Sequence, residues 1–131
     1  MPLLSILVTS TDENVTIPTG FVCSHLHLKM VSVKLSAASA DDNPGMEIQL
    51  PFLRHYYQIN GTSNRANLVV PLSSDVKSTL VYPDVVFVGE NVPQSFNVKL
   101  LDASDGSAWT DSGGATVQSC LIMFEYAVKD E

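Results

Sequence analysis

The chain reads as an all-β protein: an antiparallel β-sandwich of seven to eight strands, jelly-roll-like, forming a single domain over residues 1–131. Three observations predict this. Apolar and polar residues alternate with period 2 in several separate stretches. Turn chemistry built from Gly, Pro, Asn, Asp and Ser punctuates them about every 8–12 residues. No stretch carries the 3.6-residue periodicity of a long helix. A chain of 131 residues is long enough to bury a core without metal or disulfide staples.

Leu4 to Val8 is the first short strand, and Thr9 to Asn14 a polar turn. Val15-Thr-Ile17 is a strand fragment ended by Pro18-Thr-Gly20. The longest alternating stretch runs from Val22 to Leu35. Leu26, Leu28 and Met30 share one face, Val31, Val33 and Leu35 the other parity. A phase flip at Met30-Val31 is what a β-bulge or a strand bending between sheets leaves behind. Ser36 to Gly45 is a loop. Met46, Ile48, Leu50 and Phe52 then alternate with Glu47 and Gln49, and Pro51 makes this run an edge strand or a strand end. Leu68 to Val70 is a short buried strand, and Asp75 to Thr79 fits one helical turn. Leu80 to Val88 is a strand interrupted by Pro83.

The last third holds the two clearest strands. Ser95 to Leu100 alternates, and Cys120 to Val128 is apolar on both faces, which predicts a central position in a sheet. The polar stretch from Asp102 to Gly114 between them predicts a hairpin with a long loop.

Apolar residues make up 45% of the chain and charged residues 16%. That charged share is below the usual quarter, so Ser, Thr, Asn and backbone must fill much of the surface, a surface suited to packing against other proteins. The formal charge is −7, with seven scattered Lys and Arg. This excludes a basic nucleic-acid footprint and disfavours an anionic membrane surface. The first residues lack the basic start of a signal peptide, and no run approaches a transmembrane helix, so a soluble, intracellular chain is expected. Without a secretion signal, Cys23 and Cys120 are expected to be reduced core thiols; a bridge between them would add roughly 4–5 kcal/mol. The sequons at Asn14 and Asn60 matter only in a secretory lumen.

Several groups invite chemistry. His25 and His27, at i and i+2 on a strand, point to one face and are the best metal-like pair, with His55 a conceivable third ligand. The pair resembles a cupin-type site, but no acidic ligand follows between Lys29 and Lys34. Exposed strand histidines are therefore the expectation, and no metal or cofactor is expected. Asp111-Ser-Gly-Gly114 resembles the serine-protease nucleophile stretch, but Thr110 stands where that family has glycine and the chain is too short for two barrels. Asp102, Asp105 and Asp111, with Asp41 and Asp42 as further contributors, evoke a calcium loop. The glycine falls early for EF-hand spacing and no Glu closes the set, so turn-forming Asp is expected. Arg54, Tyr56, Tyr57 and Trp109 are the interface candidates, since aromatics and arginine are favoured in interfaces. Trp109 has a second option, folding back as a lid on the core.

Tyr82-Pro-Asp-Val-Val-Phe87, Pro93 to Gly106, Leu121-Ile-Met-Phe-Glu-Tyr126 and the early Leu26-His-Leu-Lys-Met-Val31 share a cadence: a strand ending in Asp, a Gly turn, and a final strand close to Leu-x-Phe-Glu-Tyr. Over about half the chain this resembles small all-β structural proteins of large eukaryotic DNA viruses, virophages and Maverick-type elements. The resemblance implies a jelly-roll-like minor capsid, penton-like or fibre-like component of the virion. Such a protein is not an enzyme and acts by protein–protein assembly. It would form a homo-oligomer (a trimer or pentamer) and contact other capsid proteins. Two other readings compete: a TNF/C1q-like or carbohydrate-binding recognition module using Tyr56–Tyr57 or Trp109, and a small metalloenzyme around His25 and His27.

Overall fold

A computed structural model describes residues 2–38, 45–53, 68–72, 78–103 and 106–128. They form ten strands: β1 (Leu3–Val8), β2 (Asp12–Thr16), β3 (Phe21–Leu35), β4 (Met46–Gln49), β5 (Leu68–Val70), β6 (Ser78–Val81), β7 (Val85–Val88), β8 (Asn91–Val92), β9 (Ser95–Asp102) and β10 (Val117–Val128). Two antiparallel sheets pack face to face as a sandwich. One orders β1-β10-β3-β6, with β7 and β8 also on β3; the other orders β2-β9-β4-β5.

β3 is the spine of the larger sheet. At 15 residues it pairs with β10 along one edge. Its other edge takes β8 at Phe21–Val22, β7 at His25–Leu28 and β6 at Val31–Lys34 in turn. Pro83 explains why β6 and β7 are separate: proline has no N–H to donate to a ladder. The predicted phase flip is a bulge, but it falls at Lys29 and not at Met30-Val31. Met123 pairs with Met30 but Phe124 pairs with Leu28, so Lys29 is the extra residue and is exposed, and Met30 faces outward with Met123, not inward with Leu26 and Leu28. Leu26 and Leu28 before it, and Val31, Val33 and Leu35 after it, all face the core, and β3 stays in one sheet. β10 lies between β1 and β3, the central place that its apolar character predicts.

The predicted hairpin of the last third does not form. β9 sits in the four-stranded sheet and β10 in the six-stranded one, so residues 103–116 cross from sheet to sheet. Alternation gives each strand an inward face, and β9 and β10 both obey it, from opposite sides of the same core. It carries no information about which strand lies alongside. Ser78 and Thr79 also differ from expectation, opening β6 instead of closing a helical turn.

Leu4, Ile6 and Val8 of β1 meet Phe124, Ile122 and Cys120 of β10 and Val98, Leu100 and Ile48 of the other sheet in one buried cluster. Phe52 packs edge-on to Phe96, ring centroids 4.8 Å apart, and reaches Phe124 at 6.5 Å, tying the sheets together. Cys23 and Cys120 are both buried and free. Cys23 pairs with Val128, eight residues along β10 from Cys120, or roughly 26 Å. A disulfide needs Cα atoms within about 7 Å, so the two cannot bridge. Burial pushes the Cys120 thiol up to about 12. At Gly45 the chain needs glycine: φ is 155°, and a Cβ there would lie 2.6 Å from the Val70 carbonyl oxygen.

Candidate functional site

The outward side chains of the six-stranded sheet break the usual apolar-in, polar-out rule. Leu3 and Leu7 of β1, Val22 of β3, Leu80 of β6 and Val86 and Val88 of β7 are exposed, and Tyr82 joins them from the β6–β7 connection; Val128, exposed at the end of β10, has the inward parity of Cys120 and Phe124. Among the described residues, every large exposed hydrophobic side chain lies on this sheet or its connections. The register sets them in rows across the strands. Leu7, Leu121, Ser32 and Leu80 form one row, and Ser5, Met123 and Met30 another. Leu3, Glu125, His27 and Val86 form a third. Its charge is balanced locally, with Lys29 Nζ 3.3 Å from Glu125 Oε1.

His25 and His27 lie on this face, opposite Val88 and Val86. His27 Nε2 is 2.5 Å from Asp84 Oδ1. Asp84 holds a left-handed backbone, φ 54°, in the turn after Pro83. His25 Nδ1 is 3.2 Å from Ser24 Oγ. His27 is thus engaged by a carboxylate. Among the described residues, no three or more His, Cys, Asp or Glu gather as a metal-binding group.

The loop after β9 has its own logic. β2 pairs with β9 only from Ser95 to Lys99, leaving one side of the end of β9 open. The chain doubles back to fill it. Asp102 N donates to Ser107 O at 2.7 Å, Ala108 bridges Leu101, and Trp109 N donates to Leu100 O at 3.0 Å. Trp109 is therefore 3% exposed and closes the core as a lid. It offers no exposed aromatic face to a partner, and its Nε1 has no hydrogen-bond partner among the described residues. Thr9 to Thr11, Thr110, Asp111 and Gly114 to Val117 surround an open cleft of about 560 Å³ beside it.

Asp111 holds the rest of this loop. Its Oδ2 accepts from Gly113 N at 3.1 Å and Ala115 N at 3.2 Å, and its carbonyl accepts from Gly114 N at 3.0 Å. The backbone N–H groups that an oxyanion hole would require are engaged, and Asp111 acts as a turn former. Asp102 closes β9. Asp105, Asp41, Asp42, His55, Arg54, Tyr56, Tyr57 and Asn60 lie outside the described residues. Asn14 donates from Nδ2 to Ser95 Oγ across β2 and β9.

Sequence reasoning passed over two buried carboxylates, Glu47 at 6% and Glu90 at 0% exposure. Both have partners within the fold. Glu90 follows Gly89 in what reads as an ordinary turn. Its carbonyl accepts from Cys23 N and lies 3.3 Å from Cys23 Sγ, fastening the turn under β3.

No protein-family model matches the chain, and no curated protein matches it significantly. Among the described residues, no helix is long and apolar enough to cross a membrane.

Proposed function

We propose that this chain is a non-enzymatic structural protein of a virion, a jelly-roll-like minor capsid, penton-like or fibre-like component. It works by assembling with copies of itself and with other capsid proteins. The observation behind this is the apolar outer face of the six-stranded sheet. Leu3, Leu7, Leu80, Val86 and Val88 are each about half exposed or more, with Leu121 and Met123 between them in register. A contiguous apolar patch on a folded surface marks an interaction site. The formal charge of −7 keeps copies apart elsewhere, whereas this face carries few charges, and Glu125 among them is paired with Lys29. The cadence shared with small viral β-proteins supports placing that assembly in a virion.

Sedimentation across a concentration series tests the assembly. The wild-type chain is expected to associate, and Val86→Lys with Val88→Lys to return it to monomer, a loss of at least tenfold in association. A wild-type chain that stays monomeric at its highest soluble concentration would refute the reading.

A further inference from the structure

Each sheet of the sandwich has two edges, and three of the four carry devices that discourage strand addition. β2 holds Asp12 and Glu13. β5 is three residues long and runs into Pro71. The β6–β7–β8 edge is broken into pieces of four, four and two residues, with Pro83 inside it. β1 has no charge and no break along its length, and its one neighbouring proline, Pro2, stands before the strand. Its sequence, Leu3-Leu-Ser-Ile-Leu-Val8, is uncharged, and it pairs with β10 over six consecutive residues with no register shift. Its other edge pairs with no strand among the described residues. Beside it the sandwich is open. An apolar groove of about 610 Å³, lined by Leu4, Val15, Ile17, Phe21 and Tyr126, separates β1 from β2.

We propose that two copies of this chain join edge to edge through β1, antiparallel across a two-fold axis centred on Ser5. The proposal rests on the assembly reading above and names one contact which that assembly uses. The occupant is a second copy because the strand is complementary to itself. Directly opposed residues in an antiparallel pair face the same side of the sheet. Centring on Ser5 sets Leu3 against Leu7 twice on the outer face, where they are 58% and 56% exposed. It sets Leu4 against Ile6 twice on the inner face, and Ser5 against Ser5. Every pairing is apolar with apolar or hydroxyl with hydroxyl, and no charge enters, which suits a chain of net charge −7. The result is one continuous sheet through both copies, with the two apolar outer faces joined side by side. An isologous contact of this kind closes a pair on its own, or links larger rings at their two-fold positions.

Ser5 is exposed, so substitution there leaves the core intact. Opposed Cβ atoms in such a pair lie about 4.5–5.5 Å apart, close enough for a disulfide after slight adjustment. Ser5→Cys is expected to form a covalent dimer on mild oxidation, seen on a non-reducing gel, while the buried Cys23 and Cys120 give the wild-type chain none. Ser5→Lys, which adds the edge charge that β1 lacks, is expected to weaken association at least tenfold by sedimentation. If the wild-type chain associates but Ser5→Cys does not cross-link and Ser5→Lys changes nothing, the β1 contact is wrong and the assembly reading stands. If the wild-type chain does not associate at all, both fall.

Discussion

On the four-stranded sheet the outward side chains of β2 and β9 include Asp12, Asn14, Thr16, Ser95, Asn97 and Lys99; on the six-stranded sheet the outward positions include Leu3, Leu7, Leu80, Val86 and Val88. The first surface is stitched together. Asn97 Nδ2 donates to Asp12 Oδ1, Asn14 Nδ2 donates to Ser95 Oγ at 3.0 Å, and Lys99 stands opposite Asp12. The second has one Lys–Glu pair and one His–Asp pair set among apolar side chains left about half exposed. Both sheets bury the inner faces of their central strands, β9 and β4 in one and β10 and β3 in the other, and the outward side chains take no part in that core. A surface that breaks the local rule without a gain inside the monomer is where function is to be sought.

Inner and outer neighbours on β10 give the largest contrast. Phe124 is fully buried and contacts Phe52, whereas Met123 points outward and is half-buried. Phe124→Ala is expected to cost about 3–5 kcal/mol of unfolding free energy in urea titration. Met123→Ala should cost less than about 1 kcal/mol. Equal losses would mean that the outer face is part of the core and that the contrast between the two surfaces is false.

Cys120, on the inner side of the same strand, offers a pH test. Its thiol is raised by burial from 9.0 to about 12 in the folded chain. Folded protein therefore keeps its proton where unfolded protein loses it. The stabilisation is complete below pH 9 and is lost as the pH climbs toward 12, up to about 4 kcal/mol for this group. The midpoint of urea unfolding should fall over that window, and Cys120→Ala should fall less steeply by the missing contribution. Parallel profiles for the two proteins would show that the thiol is not shielded and that this inner layer admits water.

How much of this was legible in the residues follows from what each signal encodes. Period-2 alternation reports an inward face, so the buried positions of β3, β9 and β10 could be read directly, Met30 excepted, and so could the presence of the bulge in β3, though not its place. Pro51 and Pro83 report missing donors, and both mark strand ends in the structure. Strand partnership is different, because it depends on contacts distant in sequence; the supposed hairpin of β9 and β10 failed for that reason. Trp109 was undecided for a related cause, since its burial follows from β2 being shorter than β9. The apolar outer face was hidden in plain runs such as Val85 to Val88 and Leu3-Leu4. An apolar run does not say whether its second face meets another layer of the same chain or solvent.

The smallest expected effect separates the two surfaces most cleanly. Asn97→Ala removes the donor to Asp12 on the polar sheet, an exposed hydrogen bond to a carboxylate, and should cost about 0.5–1 kcal/mol of stability. The same variant should leave the association constant unmoved, because the described outward face of β2 and β9 is polar and hydrogen-bonded within the chain. Val88→Lys on the apolar sheet should do the reverse. Val88 is 61% exposed, so its replacement should change stability by less than about 0.5 kcal/mol while association weakens severalfold. Reading both variants by urea unfolding and by sedimentation gives a two-by-two pattern with opposite corners filled. If Asn97→Ala also loosened association, the polar ladder would belong to the assembly contact and the division of labour between the sheets would fail. If Val88→Lys instead unfolded the chain, the apolar face would be covered within the monomer, and the proposed partner would have no place to sit.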